Sequence, residues 1–134
     1  MNPEPILIGA DVGTTNIKVV AFDRRGKALE GASSPTPTHY PRPGRAHYDP
    51  EELWDSFAAT LRQVTEKLDD PGRVASIAVA SMGEAAVPLD SSGEPTHDII
   101  AWFDGRAGPQ AERLGRLVGQ DRLFGLTGLS LQPI

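Results

Sequence analysis

The chain has 134 residues, 39% of them apolar, and thirteen Lys and Arg against eighteen Asp and Glu give a formal charge of -5. That length predicts one folded unit, and that charge predicts solubility without an extended basic surface for nucleic acid. The absence of cysteine excludes disulfides and thiolate metal sites, and no apolar run approaches the roughly 20 residues that cross a bilayer.

The opening MNPEPILIGAD has no basic stretch ahead of a signal-like apolar core, and Gly9 and Asp11 interrupt its apolar run. A cytoplasmic location without a membrane span is therefore expected. Residues 5–10 (PILIGA) and 17–22 (IKVVAF) read as two strands around a polar turn of Asp11, Gly13, Thr14 and Thr15. Asp23 to Gly26 make a second turn, and Lys27 to Ser33 returns as a third strand. Prolines at 35, 37, 41 and 43 then predict an extended surface passage, because each lacks an amide donor and restricts the residue before it.

Asp49 is placed to cap a helix with Pro50 at its first position and Glu51 and Glu52 favouring the same end. Leu53, Trp54, Phe57, Leu61, Val64 and Leu68 recur at helical spacing, so the helix is expected from about Pro50 to Leu68. Pro71 and Gly72 stop it, and Val74 to Ser81 reads as a strand, followed by a break at Met82, Gly83 and Glu84. Ala86 to Leu89 is expected to form another strand, closed by a turn at Asp90 to Gly93. Ile99, Ile100 and Trp102 approach a core again, and a final helix runs from Asp104 or Gly105 to about Val118, with Gly119 at its end. The last stretch, through Leu131, Gln132, Pro133 and Ile134, is apolar, which leads to the expectation that the gene product is longer.

The turn at Asp11 offers what a nucleotide phosphate needs. Gly13 permits a tight reversal, Thr14 and Thr15 supply hydroxyls, Asp11 can hold Mg2+ directly or through its waters, and Lys18 can reach back as a mobile positive charge. The same residues also serve a plain turn, with Asp11 and Thr14 satisfying turn amides and Lys18 solvated. No G-x-x-x-x-G-K-S/T and no G-x-G-x-x-G occurs, so neither a P-loop protein nor a dinucleotide dehydrogenase is supported. His39, His47 and His97 show no metal spacing and read as surface or packing residues.

The segment IGADVGTTNIKVVAFDRRG resembles the first phosphate motif of the FGGY carbohydrate kinases, whose members include glycerol kinase, xylulokinase, ribulokinase and gluconokinase. The resemblance continues in order through PRPGRAHYDPEELW, VASIAVASMGEAAVPLDSSGEP, IIAWFDGR and LTGLSLQP. It implies an α/β, ribonuclease-H-like fold of the actin and hexokinase type, a mixed sheet with flanking helices. Residues 1–134 would be the amino-terminal part of the first domain, with the rest of that domain and the second domain absent.

The resemblance further implies ATP and Mg2+ as cofactors and a sugar or polyol as substrate. Asp11 corresponds to a metal-proximal, catalytic aspartate, Gly13, Thr14 and Thr15 to a phosphate turn, and Lys18 to a cation on the terminal phosphates. SMGE resembles the family's substrate loop, which makes Met82, Gly83 and Glu84 substrate-binding candidates, and Trp102, Asp104 and Arg106 resemble the W-x-D-x-R strand end near the sugar pocket. Gly83 departs from the long side chain of glycerol kinase and leaves room for a larger substrate, so a ketopentose such as xylulose or ribulose ranks ahead of glycerol.

Taken without the resemblance, Glu84 reads as an exposed turn acid, Trp102 as core, and Arg106 as the partner of Asp104. The base that activates the sugar hydroxyl lies later in the family's chain, and Asp98 and Asp104 are not given that role. The 134-residue chain alone is expected to be inactive, and a homodimer is among the expectations for the longer protein. A noncatalytic module and an actin-like ATPase are the competing classes, the second disfavoured by SMGE and WFDGR.

Overall fold

The structure, a computed structural model, describes residues 4–132. The expectations drawn on the first three residues and on Pro133 and Ile134 lie outside them. Where chain length predicts one unit, the contacts divide the described residues into two compact units, 4–37 with 49–83, and 38–48 with 84–132. Among the described residues no helix is long and apolar enough to cross a membrane.

In the first unit, strands β1 (Ile6–Val12), β2 (Asn16–Phe22), β3 (Ala28–Pro35) and β5 (Val74–Ser81) form one sheet in the order β3-β2-β1-β5. β1, β2 and β3 meander antiparallel, whereas β5 lies parallel to β1 after a crossover that contains helix α1 (Pro50–Thr65). Strict alternation sets the two faces of the hairpin. Ile6, Ile8 and Ala10 of β1 and Val19 and Ala21 of β2 are buried and pack with Val64 and Leu68. Asp11 and Lys18 are exposed and are direct cross-strand partners, so the pleat that buries the aliphatic residues places this charged pair on the opposite face.

Helix α1 begins as its sequence predicts, with the Asp49 carboxylate accepting from the amides of Glu51 and Glu52 at 2.9 and 3.0 Å. It ends at Thr65 rather than Leu68, because the amides of Lys67 and Leu68 bond three residues back, to Val64 and Thr65, and tighten the last turn. Leu68 is nevertheless buried. Trp54, expected on the buried stripe, is 65% exposed, and the hydroxyl of Thr60 takes a core place instead at 1% exposure. Thr60 Oγ1 donates to the Ser56 carbonyl and lies 2.7 Å from Ser34 Oγ of β3, which fastens the helix to the sheet.

Ile77 and Val79 of β5 pair in register with Ile8 and Ala10 but are 46% and 59% exposed, since α1 packs on β2 and β3 and leaves β5 uncovered. The third strand starts one residue later than expected, at Ala28, and ends two residues later, at Pro35; a proline is tolerated because β3 is an edge strand.

The second unit holds a small ladder, β4 (His47–Tyr48) antiparallel to β6 (Ile99–Ile100), extended by a bridge between His39 and His47. The proline-rich passage is thus partly paired. Ala86 to Leu89 is not a strand. A bridge from Leu89 to Pro95 closes the turn at Asp90, whose carboxylate accepts from Ser92 and Glu94. Asp104 caps a single 3-10 turn (Gly105–Ala107) that leads into α2 (Gly108–Val118). Gly119, at φ 89°, ends α2 but also starts a further helix, α3 (Gln120–Thr127), that the glycine-interrupted sequence does not announce.

Candidate functional site

The hairpin tip is built by close packing of backbone. The Gly13 amide donates to the Asn16 carbonyl at 3.0 Å, and a side chain at Gly13 would stand 3.0 Å from that same oxygen and 3.8 and 3.9 Å from the two Asp11 carboxylate oxygens. Glycine is required here for space, not for a left-handed backbone. A side chain there would lie in ordinary contact with the Asp11 carboxylate, which glycine leaves exposed. Thr14 is half-buried and Thr15 exposed.

Thr36, a residue the sequence reading does not single out, fastens this turn. Its hydroxyl donates to the Gly13 carbonyl at 2.7 Å and its amide to the Thr15 carbonyl at 3.0 Å. The signal was a threonine enclosed by Pro35 and Pro37 directly after a strand. Met82 approaches the same hairpin, its amide donating to the Val12 carbonyl at 2.9 Å, and Gly83 faces open space, with no atom within 4 Å of where a side chain would begin.

Glu84 opens the second unit. It is the one non-glycine residue among the described residues with positive φ, 58°, even though Gly83 precedes it. A β-carbon in that region costs about 1–2 kcal/mol, so the fold by itself favours glycine there. Such strain is the kind held at functional sites. Glu84 and Trp102 both line a cavity of about 1140 Å³ within this unit, along with His97, Asp98, Leu114 and Leu123. Trp102 is 42% exposed and packs edge-on to Phe103.

Asp104 is arranged differently. It is 2% exposed, and both its oxygens are engaged. Oδ1 accepts from the amide and Nε of Arg106 at 2.8 Å each, and Oδ2 accepts from Arg106 Nη2 and the Ala46 amide at 2.7 Å each. The Arg106 hydrogen bonds, outweighing burial and aided by the Ala46 amide, hold this carboxyl far below the usual aspartate range. In this structure Asp104 is a bracket between the 3-10 turn and the segment leading into β4, and it is not among the residues that line the cavity.

A carboxyl depressed on folding stabilises the fold fully above its ordinary value of 3.8, and that contribution is lost as pH falls through the lower folded value. Stability of the chain should therefore decline progressively below about pH 4. Asp104→Asn should remove most of that acid dependence and cost about 3 kcal/mol, the low end for a broken buried pair, because Arg106 keeps 23% of its side chain in solvent. Urea unfolding of both proteins between pH 2 and pH 7 checks this.

A family model described as the FGGY family of carbohydrate kinases, N-terminal domain, matches residues 6–134. Among curated proteins the chain is 38% identical over 130 residues to a glycerol kinase of Methylorubrum extorquens, covering 95% of this chain and 26% of that protein. Among solved structures it is similar to xylulose kinase from Rhodospirillum rubrum, with a TM-score of 0.87 and 30% identity, covering 95% of this chain and 26% of that one. Gluconate kinase from Lactobacillus acidophilus superposes with a TM-score of 0.89 at 27% identity, covering 98% and 26% of the two chains. The chain thus spans about a quarter of the length of these relatives. The mixed sheet with its crossover helix is the amino-terminal portion of the actin and hexokinase type of fold. From the hairpin through α3, the chain belongs to the FGGY family of carbohydrate kinases, in the stretch described as that family's N-terminal domain.

Proposed function

We propose that the family-length protein carrying this chain transfers the γ-phosphoryl group of ATP to a hydroxyl of a sugar or polyol, with a ketopentose such as xylulose or ribulose as the leading acceptor. The observation that carries this reading is the hairpin tip, where Asp11 and Lys18 stand as cross-strand partners beside a glycine whose missing side chain keeps the carboxylate accessible. Transfer of this kind depends on alignment and charge neutralisation more than on covalent chemistry.

In this proposal Asp11 holds Mg2+, directly or through its waters, and Thr14 and Thr15 contact phosphate oxygens. Lys18 reaches the terminal phosphate and meets the charge that shifts during transfer. A Mg2+ ion held at Asp11 would supply charge neutralisation to the phosphates. Glu84 accepts hydrogen bonds from acceptor hydroxyls and Trp102 packs on the acceptor's C–H face, while Met82 and Gly83 are substrate-binding candidates by resemblance alone. Asp104 serves the substrate indirectly, fixing Arg106 and the chain on either side of Trp102. The base that takes the hydroxyl proton is assigned to the part of the family-length protein outside this chain.

The ketopentose preference rests on the open space at Gly83 and on the resemblance of Trp102, Asp104 and Arg106 to the strand end of the ketopentose kinases. The identity to a glycerol kinase favours a second reading, a glycerol-type acceptor. A coupled ADP-release assay over xylulose, ribulose, gluconate and glycerol distinguishes them by kcat/KM. Substrate- and Mg2+-dependent turnover is expected from the family-length protein and none above background from the 134-residue chain. Turnover by the short chain would overturn the placement of the base, and silence of both would favour a noncatalytic module.

A further inference from the structure

We propose that Thr36 is a positioning residue for phosphate binding, holding the Asp11 to Thr15 turn in the one orientation that can receive an anion. The inference rests on the phosphate reading of that turn and adds to it a residue with no phosphate contact of its own.

A backbone turn attracts an anion through its N–H dipoles and repels it through its C=O dipoles. Such a turn works only if its carbonyl oxygens are turned away and satisfied elsewhere. Around this tip the Val12 carbonyl accepts from the Met82 amide, Asn16 from the Gly13 amide, and Gly13 and Thr15 both accept from Thr36. Thr36 therefore engages two carbonyls of the turn, those of Gly13 and Thr15, one with its hydroxyl at 2.7 Å and one with its amide at 3.0 Å.

The residue is itself rigidly held. It is 7% exposed, Pro35 fixes the backbone before it, and Pro37 excludes a helical conformation at Thr36. The strand that delivers it is anchored on both sides. Ser33 Oγ donates to the Ile17 carbonyl at 3.0 Å, and Ser34 Oγ lies 2.7 Å from Thr60 Oγ1. Because the Thr60 proton is already committed to the Ser56 carbonyl, Ser34 is the donor in that pair. Hydroxyl bonds thus tie the end of β3 to helix α1 and to β2 just before Thr36, which in turn bonds the phosphate turn.

The test compares Thr36→Val, which keeps the shape and loses the hydroxyl, with Thr36→Ser, which keeps the hydroxyl, in the family-length protein. ATP and sugar are varied separately, and thermal unfolding is followed on the same preparations. Thr36→Val should lower kcat/KM for ATP by about tenfold or more while leaving the sugar KM within about twofold, and Thr36→Ser should restore most of the loss. Wild-type ATP kinetics in Thr36→Val would overturn the proposal. So would a loss shared equally by ATP and sugar that follows the melting temperature and is not rescued by serine, since that pattern belongs to a residue that only supports the fold. Asp11→Asn separates the two levels of the argument. If it is inactive while Thr36→Val is normal, the Thr36 proposal alone fails; if both are normal, the phosphate reading fails and takes this proposal with it.

Discussion

Lys18→Ala in the family-length protein should lower kcat by about 100- to 1000-fold, the loss typical of removing one charged or hydrogen-bonding group aimed at developing charge. The sugar KM should change little, because in the proposed arrangement Lys18 meets the transferring phosphoryl group and not the acceptor. The fold should hardly notice. Lys18 is exposed on β2, and its direct structural tie is the cross-strand placement opposite Asp11, where an exposed pair of opposite charges is worth about 0.2–1 kcal/mol. Steady-state kinetics with ATP and then sugar varied, alongside thermal unfolding, read both quantities. A wild-type kcat would remove Lys18 from the site and leave the turn at Asp11 as a structural hairpin tip.

Glu84 should separate stability from activity through two substitutions. Glu84→Ala deletes the carboxylate but keeps a β-carbon at φ 58°, whereas Glu84→Gly deletes both. A hydrogen bond to a charged group is worth about 1.5–3 kcal/mol, so each variant should lose about tenfold or more in kcat/KM for the sugar, mainly through KM, with the ATP parameters nearly unchanged. Only the glycine variant should gain stability, by up to about 1 kcal/mol, since relief of left-handed strain exceeds the entropy lost by introducing glycine. Thermal unfolding combined with sugar kinetics tests the pair. A glycine variant that is more stable and fully active would show Glu84 to be an exposed turn acid, while a glycine variant no more stable than the alanine one would show that the backbone there is unstrained.

The Asp104 bracket shows why a motif and a contact are different things. The sequence places Trp102, Asp104 and Arg106 together near a sugar pocket by resemblance, and spacing alone also permits Asp104 to pair with Arg106. The structure brings Trp102 and Glu84 to one cavity but closes Asp104 on Arg106 and on the amide of Ala46, far away in the chain. No local pattern encodes that last bond, so the burial of Asp104 and the depression of its titration could be read only from the fold.

What the sequence determined by itself are the features governed by near neighbours. The two apolar strands of the hairpin, the Asp49 cap with Pro50, the turn at Asp90 and the glycine at the hairpin tip each depend on residues within a few positions, and each is present, although β1 runs on to Val12 and takes Asp11 out of the turn and into the ladder. Helix α3 escaped because Gly125 interrupts it and Leu123, Phe124 and Leu126 are too few to mark a one-sided stripe, and Trp54 was misplaced because periodicity gives a face without saying whether the sheet reaches it. Tertiary structure alone decided the cross-strand meeting of Asp11 with Lys18, the positive φ at Glu84, the exposure of Ile77 and Val79 beside a covered core, and the reach of Thr36 back to Gly13 and Thr15. The physical reason is common to all of them: register, strain and carbonyl satisfaction are properties of segments brought together across the sheet or set by the packing around them, and a linear pattern carries the donors and acceptors without saying which of them will meet.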